Sequence, residues 1–158
     1  MEIFAADVGP QLEVLVQVAI AMLLGGAVGI ERELSNKPAG FRTHMLVAGA
    51  AALFIGLADA LAAKFAHEAY ANVLRIEPIR IVGAIITGIS FLGAGTIFRA
   101  KGGPIEGLTT AASILLVSAI GIAVALNQLV LALSVTVLVL FVLTAMRFVE
   151  NFFARMRK

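Results

Sequence analysis

Apolar positions in this chain come in long blocks; they neither alternate nor recur every third or fourth residue. Five blocks, 12–30, 45–63, 79–98, 108–126 and 129–146, hold almost no charge. Roughly 20 helical residues at about 1.5 Å each cross a hydrocarbon core of ~30 Å. Lipid offers no water to an open backbone, so each block is predicted to be a helix. Only Asn127-Gln128 separates the last two, which forces a tight antiparallel hairpin. A water-soluble bundle would have to bury five helices with hardly a polar face between them. The pattern therefore predicts an all-α polytopic membrane protein, a single domain over 1–158 with five transmembrane helices.

The composition agrees: 61% of residues are hydrophobic, 14% are charged and the mean hydropathy is +1.03, outside the range of ordinary globular domains. The absence of cysteine removes disulfides, thiolate metal sites and a cysteine nucleophile together. A net charge of +2 gives no reason to expect nucleic acid as a partner; the bilayer is the expected one. No Lys or Arg precedes Arg32, so the N-terminus lacks the basic region of a cleaved signal peptide and the first block is expected to remain a span. Nine of the twelve basic residues fall on one side of this topology: Arg32, Lys37, Arg42, Arg99, Lys101, Arg147, Arg155, Arg157 and Lys158. Lys64, Arg75 and Arg80 fall on the other. The positive-inside rule then puts the N-terminus in the periplasm and the C-terminus in the cytoplasm. A short basic tail follows the fifth block, and no soluble C-terminal domain is expected.

Two loops look like copies. "LGGAVGIERELSNKPAGFRTHMLVAGAAALF" and "LGAGTIFRAKGGPIEGLTTAASILLVSAIGI" both run from Leu-Gly through bases to a proline. Each then reads Gly-apolar-x-Thr and enters an apolar helix. The matching direction makes this a parallel repeat of two hairpins, with the fifth helix packed beside the pair. Thr43, and Thr109 or Thr110, are placed to cap the new helices. Two helix N-termini with partial positive charge would face the cytoplasm side by side.

The expected site is a cytoplasmic charged cluster of Glu31, Arg32, Glu33, Lys37, Arg42, Thr43, His44, Arg99, Thr109 and Thr110, fit to attract an anion or an acidic surface. The alternative reading is that these bases merely set topology and touch lipid headgroups. Glu31 and Glu33 are expected to hold Arg32, Arg42 and Arg99, either as an ion-pair latch or as part of a hard-cation site with oxygen ligands. Gly25 and Gly29 lie on one stripe with Arg32, a surface that lets another helix approach closely. Gly88, Gly93 and Gly95 make the third span either a tight packing surface or a broken helix. Asp59, an acid inside the second span and a further metal candidate, is expected to pair with Arg80. His44 and His67 fall on opposite sides, no nucleophile–base–acid set appears, and "GAGTIF" lacks the strand and spacing of a dinucleotide fingerprint. No enzyme and no cofactor are expected.

"GGAVGIERELSNKPAGFRTHMLV" and "GISFLGAGTIFR", followed by "GLTTAAS", resemble the two signature segments of the MgtC/SapB family of bacterial inner-membrane proteins. The likeness covers the chain from the first block to the fifth. It carries the family's motif onto Gly25, Gly29, Glu31, Arg32, Lys37, Pro38, Gly40, Arg42, Thr43 and His44, then onto Gly93, Gly95, Arg99, Gly107, Leu108, Thr109 and Thr110. The resemblance implies a five-span membrane domain linked to growth in low magnesium, survival inside macrophages (a virulence-related role) and restraint of the rotary ATP synthase. Beside a purely structural oligomer, two functions follow as expectations. One is a regulatory protein that engages another membrane complex such as ATP synthase. The other is a small ion transporter or channel with Mg²⁺ as the candidate ion. A homo-oligomer, a dimer first, is expected in either case.

Overall fold

The computed structural model describes residues 8–66, 78–99 and 103–156. His67, Arg75, Lys101, Arg157 and Lys158 lie outside the described residues. Five helices account for nearly everything described: α1 (Val8–Leu34), α2 (Phe41–Ala66), α3 (Pro78–Ala94), α4 (Leu108–Ala125) and α5 (Leu129–Met156). α1, α2, α4 and α5 are long and apolar enough to cross a membrane. The surface they present is itself apolar: Phe91 is 85% exposed and Val130 80%. Lipid, not water, suits such a surface, and the chain is a multi-pass membrane protein.

The third element departs from expectation. Its 17 residues reach roughly 26 Å, short of a ~30 Å core. Gly95 and Thr96 turn the chain, with the Thr96 hydroxyl donating to the Gly93 carbonyl at 2.7 Å. The following Phe98–Arg99 forms a strand, β1, paired antiparallel with β2 (Ile105–Glu106). The Arg99 Nε–H donates to the Gly103 carbonyl at 3.1 Å and ties this hairpin together. The break read in Gly93–Gly95 thus falls at the helix end, where a polar hairpin takes up the chain.

α1 and α2 are antiparallel and pack closest, and α4 joins them to make the core. α3 packs mainly on α4, while α5 lies beside α1 and α4. A Cβ on Gly25 would come within 2.6 Å of the His44 carbonyl oxygen, and one on Gly29 within 2.7 Å of the Phe41 Cα. Between the hairpins, a Cβ on Gly121 would come within 2.2 Å of the Ala48 carbonyl oxygen. α2 and α4 run parallel in this seam, so their N-termini share one end of the bundle. Gly88 behaves otherwise: neither it nor Gly83 has an atom within 4 Å of an added Cβ. The packing expected of Gly88 is not made within the chain, because α3 stands away from α2 and leaves an apolar cleft of about 660 Å³ lined by Val47, Ile81 and Ile85.

The α1–α2 and α4–α5 turns each use asparagine where glycine is commonest. Asn36 (φ 52°) and Asn127 (φ 57°) take the left-handed conformation. The N–H of Lys37 reaches the Arg32 carbonyl and that of Asn36 the Glu33 carbonyl, at 3.0 and 2.9 Å. Gln128 to Ala123 and Asn127 to Val124 repeat the pattern at the end of α4, both at 2.9 Å. These are two Schellman ends, which satisfy carbonyls that would otherwise be orphaned at a membrane edge.

Candidate basic site at the α1–α2 turn

α1 does not stop at the polar run. Glu31, Arg32 and Glu33 are its last turn, and this sets where each side chain goes. Arg32 is turned inward and is only 4% exposed. Its Nε and Nη2 both meet Oε2 of Glu31. Oε1 of the same carboxylate accepts from Arg147 Nη2 at 2.6 Å and from the Ser35 hydroxyl at 2.8 Å. Arg147 Nη2 also donates to the Glu31 carbonyl at 3.2 Å. A buried arginine needs a partner, and one carboxylate serves two guanidiniums, its neighbour Arg32 and Arg147, 116 residues away on α5. Glu31 therefore fastens α5 to the end of α1.

Glu33 has a different task from the one expected. Its Oε2 accepts the Phe41 N–H at 2.9 Å, which makes it the cap of α2 from the preceding helix. Gly40 leaves room for it, since a Cβ there would lie 2.7 Å from Oε2. Thr43 is not the cap. α4 has no side-chain cap at all: Gly107 holds its N-cap position in a left-handed conformation (φ 89°), and neither Thr109 nor Thr110 caps it. A Cβ on Gly107 would fall 1.9 Å from the Thr96 carbonyl oxygen, so only glycine fits. Arg42 and Arg99 make no ion pair among the described residues. The latch is Glu31 with Arg32 and Arg147, and Glu33 is outside it.

His44 is fully buried where α2 crosses α4. Its Nδ1–H donates to the Gly40 carbonyl at 2.9 Å, and its Nε2 lies 2.9 Å from the Ser113 hydroxyl. With the proton on Nδ1, a neutral ring offers Nε2 as an acceptor. The Ser113 hydroxyl has a second acceptor within reach, the Thr110 carbonyl at 2.8 Å. This polar bridge joins the two hairpins inside a mostly apolar seam. Ser113→Ala is expected to cost about 1–3 kcal/mol, because it leaves a buried ring nitrogen unpaired. Ser118→Ala, which removes only a bond to the carbonyl of Leu115 in the same helix, should cost much less. Unfolding of the two variants in detergent checks this, and equal stability would refute the bridge.

The carboxylates do not gather into a metal site. Among the described residues no group of three or more His, Asp or Glu is placed to hold an ion. Glu31 is occupied by arginines and Glu33 by a helix terminus. Asp59 lies at the other end of the bundle, and no ion pair joins it to Arg80, which borders the α2–α3 cleft. Asp59 lines instead a cleft of about 500 Å³ with Glu13, Gln17 and Asn127. Gln17 Nε2 donates to Asn127 Oδ1 there at 3.2 Å.

The expected cluster thus divides. Glu31, Arg32, Lys37 and Thr109 border one pocket of about 400 Å³ or bond to residues that do, and Arg147 completes it. Thr43, Arg42 and Arg99 take no part in it, and His44 and Thr110 are buried in the seam behind. Arg147 is the residue that sequence reading missed, having counted it only as a topology signal. The available sign was its place directly after the fifth apolar block, the first charged residue beyond 129–146.

A family model described as the MgtC family matches residues 18–152. The chain is 37% identical over 126 residues to Protein MgtC of Salmonella typhimurium LT2, covering 80% of this chain and 49% of that protein. It is 35% identical over 136 residues to "Putative magnesium transporter YhiD" of Escherichia coli K12, covering 83% and 59%. Protein SapB of Bacillus subtilis 168 is 34% identical over 111 residues, covering 70% and 47%. The chain spans about half the length of the curated relatives it matches. No solved structure matches it.

Proposed function

The chain belongs to the MgtC family, and we propose that it is a non-enzymatic, magnesium-linked membrane protein that acts by contact with another membrane complex. The observation that carries this reading is the filled seam between the hairpins. Ala48 lies against Gly121, and Ile114, Val117 and Ile120 fill the space around them with 1% exposure or less. A conduction path through such a seam would need polar groups or gaps at mid-membrane. Its polar bridge, His44 with Ser113, is satisfied within the protein. By the charge count the basic end faces the cytoplasm of the bacterial inner membrane, where Lys37 and Arg147 are open to a partner such as ATP synthase. The magnesium link rests on the name of the relative YhiD and on the family.

Transport is the second reading, favoured by the cleft that holds Glu13 and Asp59 at the opposite end. Two carboxylates there could meet a cation, but Val14 closes on Gly56 and Met22 on Gly49 along the α1–α2 contact. Growth at limiting magnesium tests the main reading. Cells lacking this protein should be rescued by the wild-type chain and not by Arg147→Gln at equal membrane abundance. Full rescue by that variant would overturn the role given to the basic end.

A further inference from the structure

We propose that the pocket between the α1–α2 turn and α5 is a binding site for a phosphate group. Arg32, Lys37 and Arg147 all line it. No acid is among the described residues that line it, and the one described carboxylate paired with them is Glu31, so positive charge is in excess. Each guanidinium carries five N–H donors. Arg32 uses Nε and Nη2 on Glu31, and Arg147 uses Nη2. Nη1 of each has no hydrogen-bond partner among the described residues. In Arg32 that free edge belongs to a side chain only 4% exposed, whose opening is this pocket. Glu31 fixes both guanidiniums from behind, so little conformational freedom is lost when a ligand arrives.

The two hairpins give an independent reason for the ligand to be an anion. The N-terminus of α2 meets a carboxylate, Glu33 on the Phe41 N–H. The corresponding terminus of α4 has no side-chain cap, and Thr109 in its first turn lines the same pocket. Uncommitted amides at a helix N-terminus and a forked cation favour phosphate oxygens. One side of the pocket is apolar: Val142, Leu143 and Met146 of α5 run down from Arg147 toward the hydrocarbon. A phosphate carried on acyl chains, as in an anionic phospholipid, would satisfy both halves. The inference is independent of the regulatory reading, since it concerns binding and not growth.

The test uses the full chain in a phosphate-free maltoside detergent, titrated separately with phosphatidylglycerol, with diacylglycerol of the same tails and with inorganic phosphate. Binding is read by native mass spectrometry and thermal shift. Phosphatidylglycerol should bind and diacylglycerol should not. Arg147→Gln should weaken binding about tenfold or more and Arg147→Lys by less. Lys37→Gln, which removes no bond seen in the fold, should weaken it a few-fold at unchanged stability and guards against a folding artefact. Binding of inorganic phosphate with the same losses would identify a free anion as the source and leave the site standing. If neither phosphate-bearing probe binds, if diacylglycerol binds as well as phosphatidylglycerol, or if Lys37→Gln and Arg147→Lys both bind like wild type, the proposal is wrong.

Discussion

Glu31→Gln is expected to be the most damaging change at any charged residue described in this protein. The carboxylate neutralises Arg32, which is 4% exposed, and holds Arg147 of α5 through its other oxygen. Removing one partner of a buried pair leaves an uncompensated charge and costs about 3–5 kcal/mol. The damage has two parts, because Arg32 loses its counter-charge and α5 its tie to α1. Arg147→Gln removes only the second part, from a side chain that is 41% exposed, and should cost much less. Glu33→Gln weakens only the cap on α2, an effect of about 0.5–2 kcal/mol. Denaturant unfolding in detergent, followed by helical circular dichroism, should rank them Glu31→Gln well below Glu33→Gln and Arg147→Gln. Equal midpoints for Glu31→Gln and Glu33→Gln would show that Arg32 finds its charge balance elsewhere.

A comparably large effect is expected at Gly121. An alanine there would press its Cβ to 2.2 Å from the Ala48 carbonyl oxygen, and to 3.0 Å from the carbonyl carbon. Both atoms are backbone, so no flexible side chain can yield and α2 must move off α4. Overpacking costs about 1–3 kcal/mol where side chains can adjust, and Gly121→Ala should reach the top of that range or pass it. Moving α2 would also stretch the 2.9 Å bridge between His44 and Ser113. Gly88→Ala makes the contrast, because an added Cβ meets nothing within 4 Å. It should be neutral or stabilising by about 0.5–1 kcal/mol through the lost freedom of glycine in a helix. Thermal midpoints of the two variants in one detergent check the pair. A tolerated Gly121→Ala would mean that the two hairpins are not locked together.

The five helices were legible because the solvent writes them into the sequence: a block of apolar residues long enough to cross lipid has few alternatives to a helix. The glycine stripe of α1 was legible for the same reason, since Gly25 and Gly29 fall on one face at helical spacing. The short α3 was not. "LGAGTIFR" is as apolar as the spans, and its turn at Gly95 and strand at Phe98–Arg99 depend on pairing with Ile105–Glu106, a contact that periodicity does not record. The charged site was half legible. Its first members were visible as the most polar run in a long apolar chain, yet which acid meets which base is a question of helix phase. α1 continues through Leu34, and this turns Arg32 inward, sends Glu33 across to Phe41 and leaves Arg42 outside. Arg147 stands 116 residues from Glu31, and only the packing of α5 on α1 brings them together.

The central claim, that the protein acts by contact and does not conduct, is tested most directly by Mg²⁺ flux into proteoliposomes that contain this chain alone and a Mg²⁺-sensitive dye. The expected result is uptake equal to that of protein-free vesicles, with wild type, Asp59→Asn and Glu13→Gln indistinguishable. Uptake well above the vesicle background that falls in Asp59→Asn would contradict it, and would make the cleft at the opposite end the mouth of a cation path.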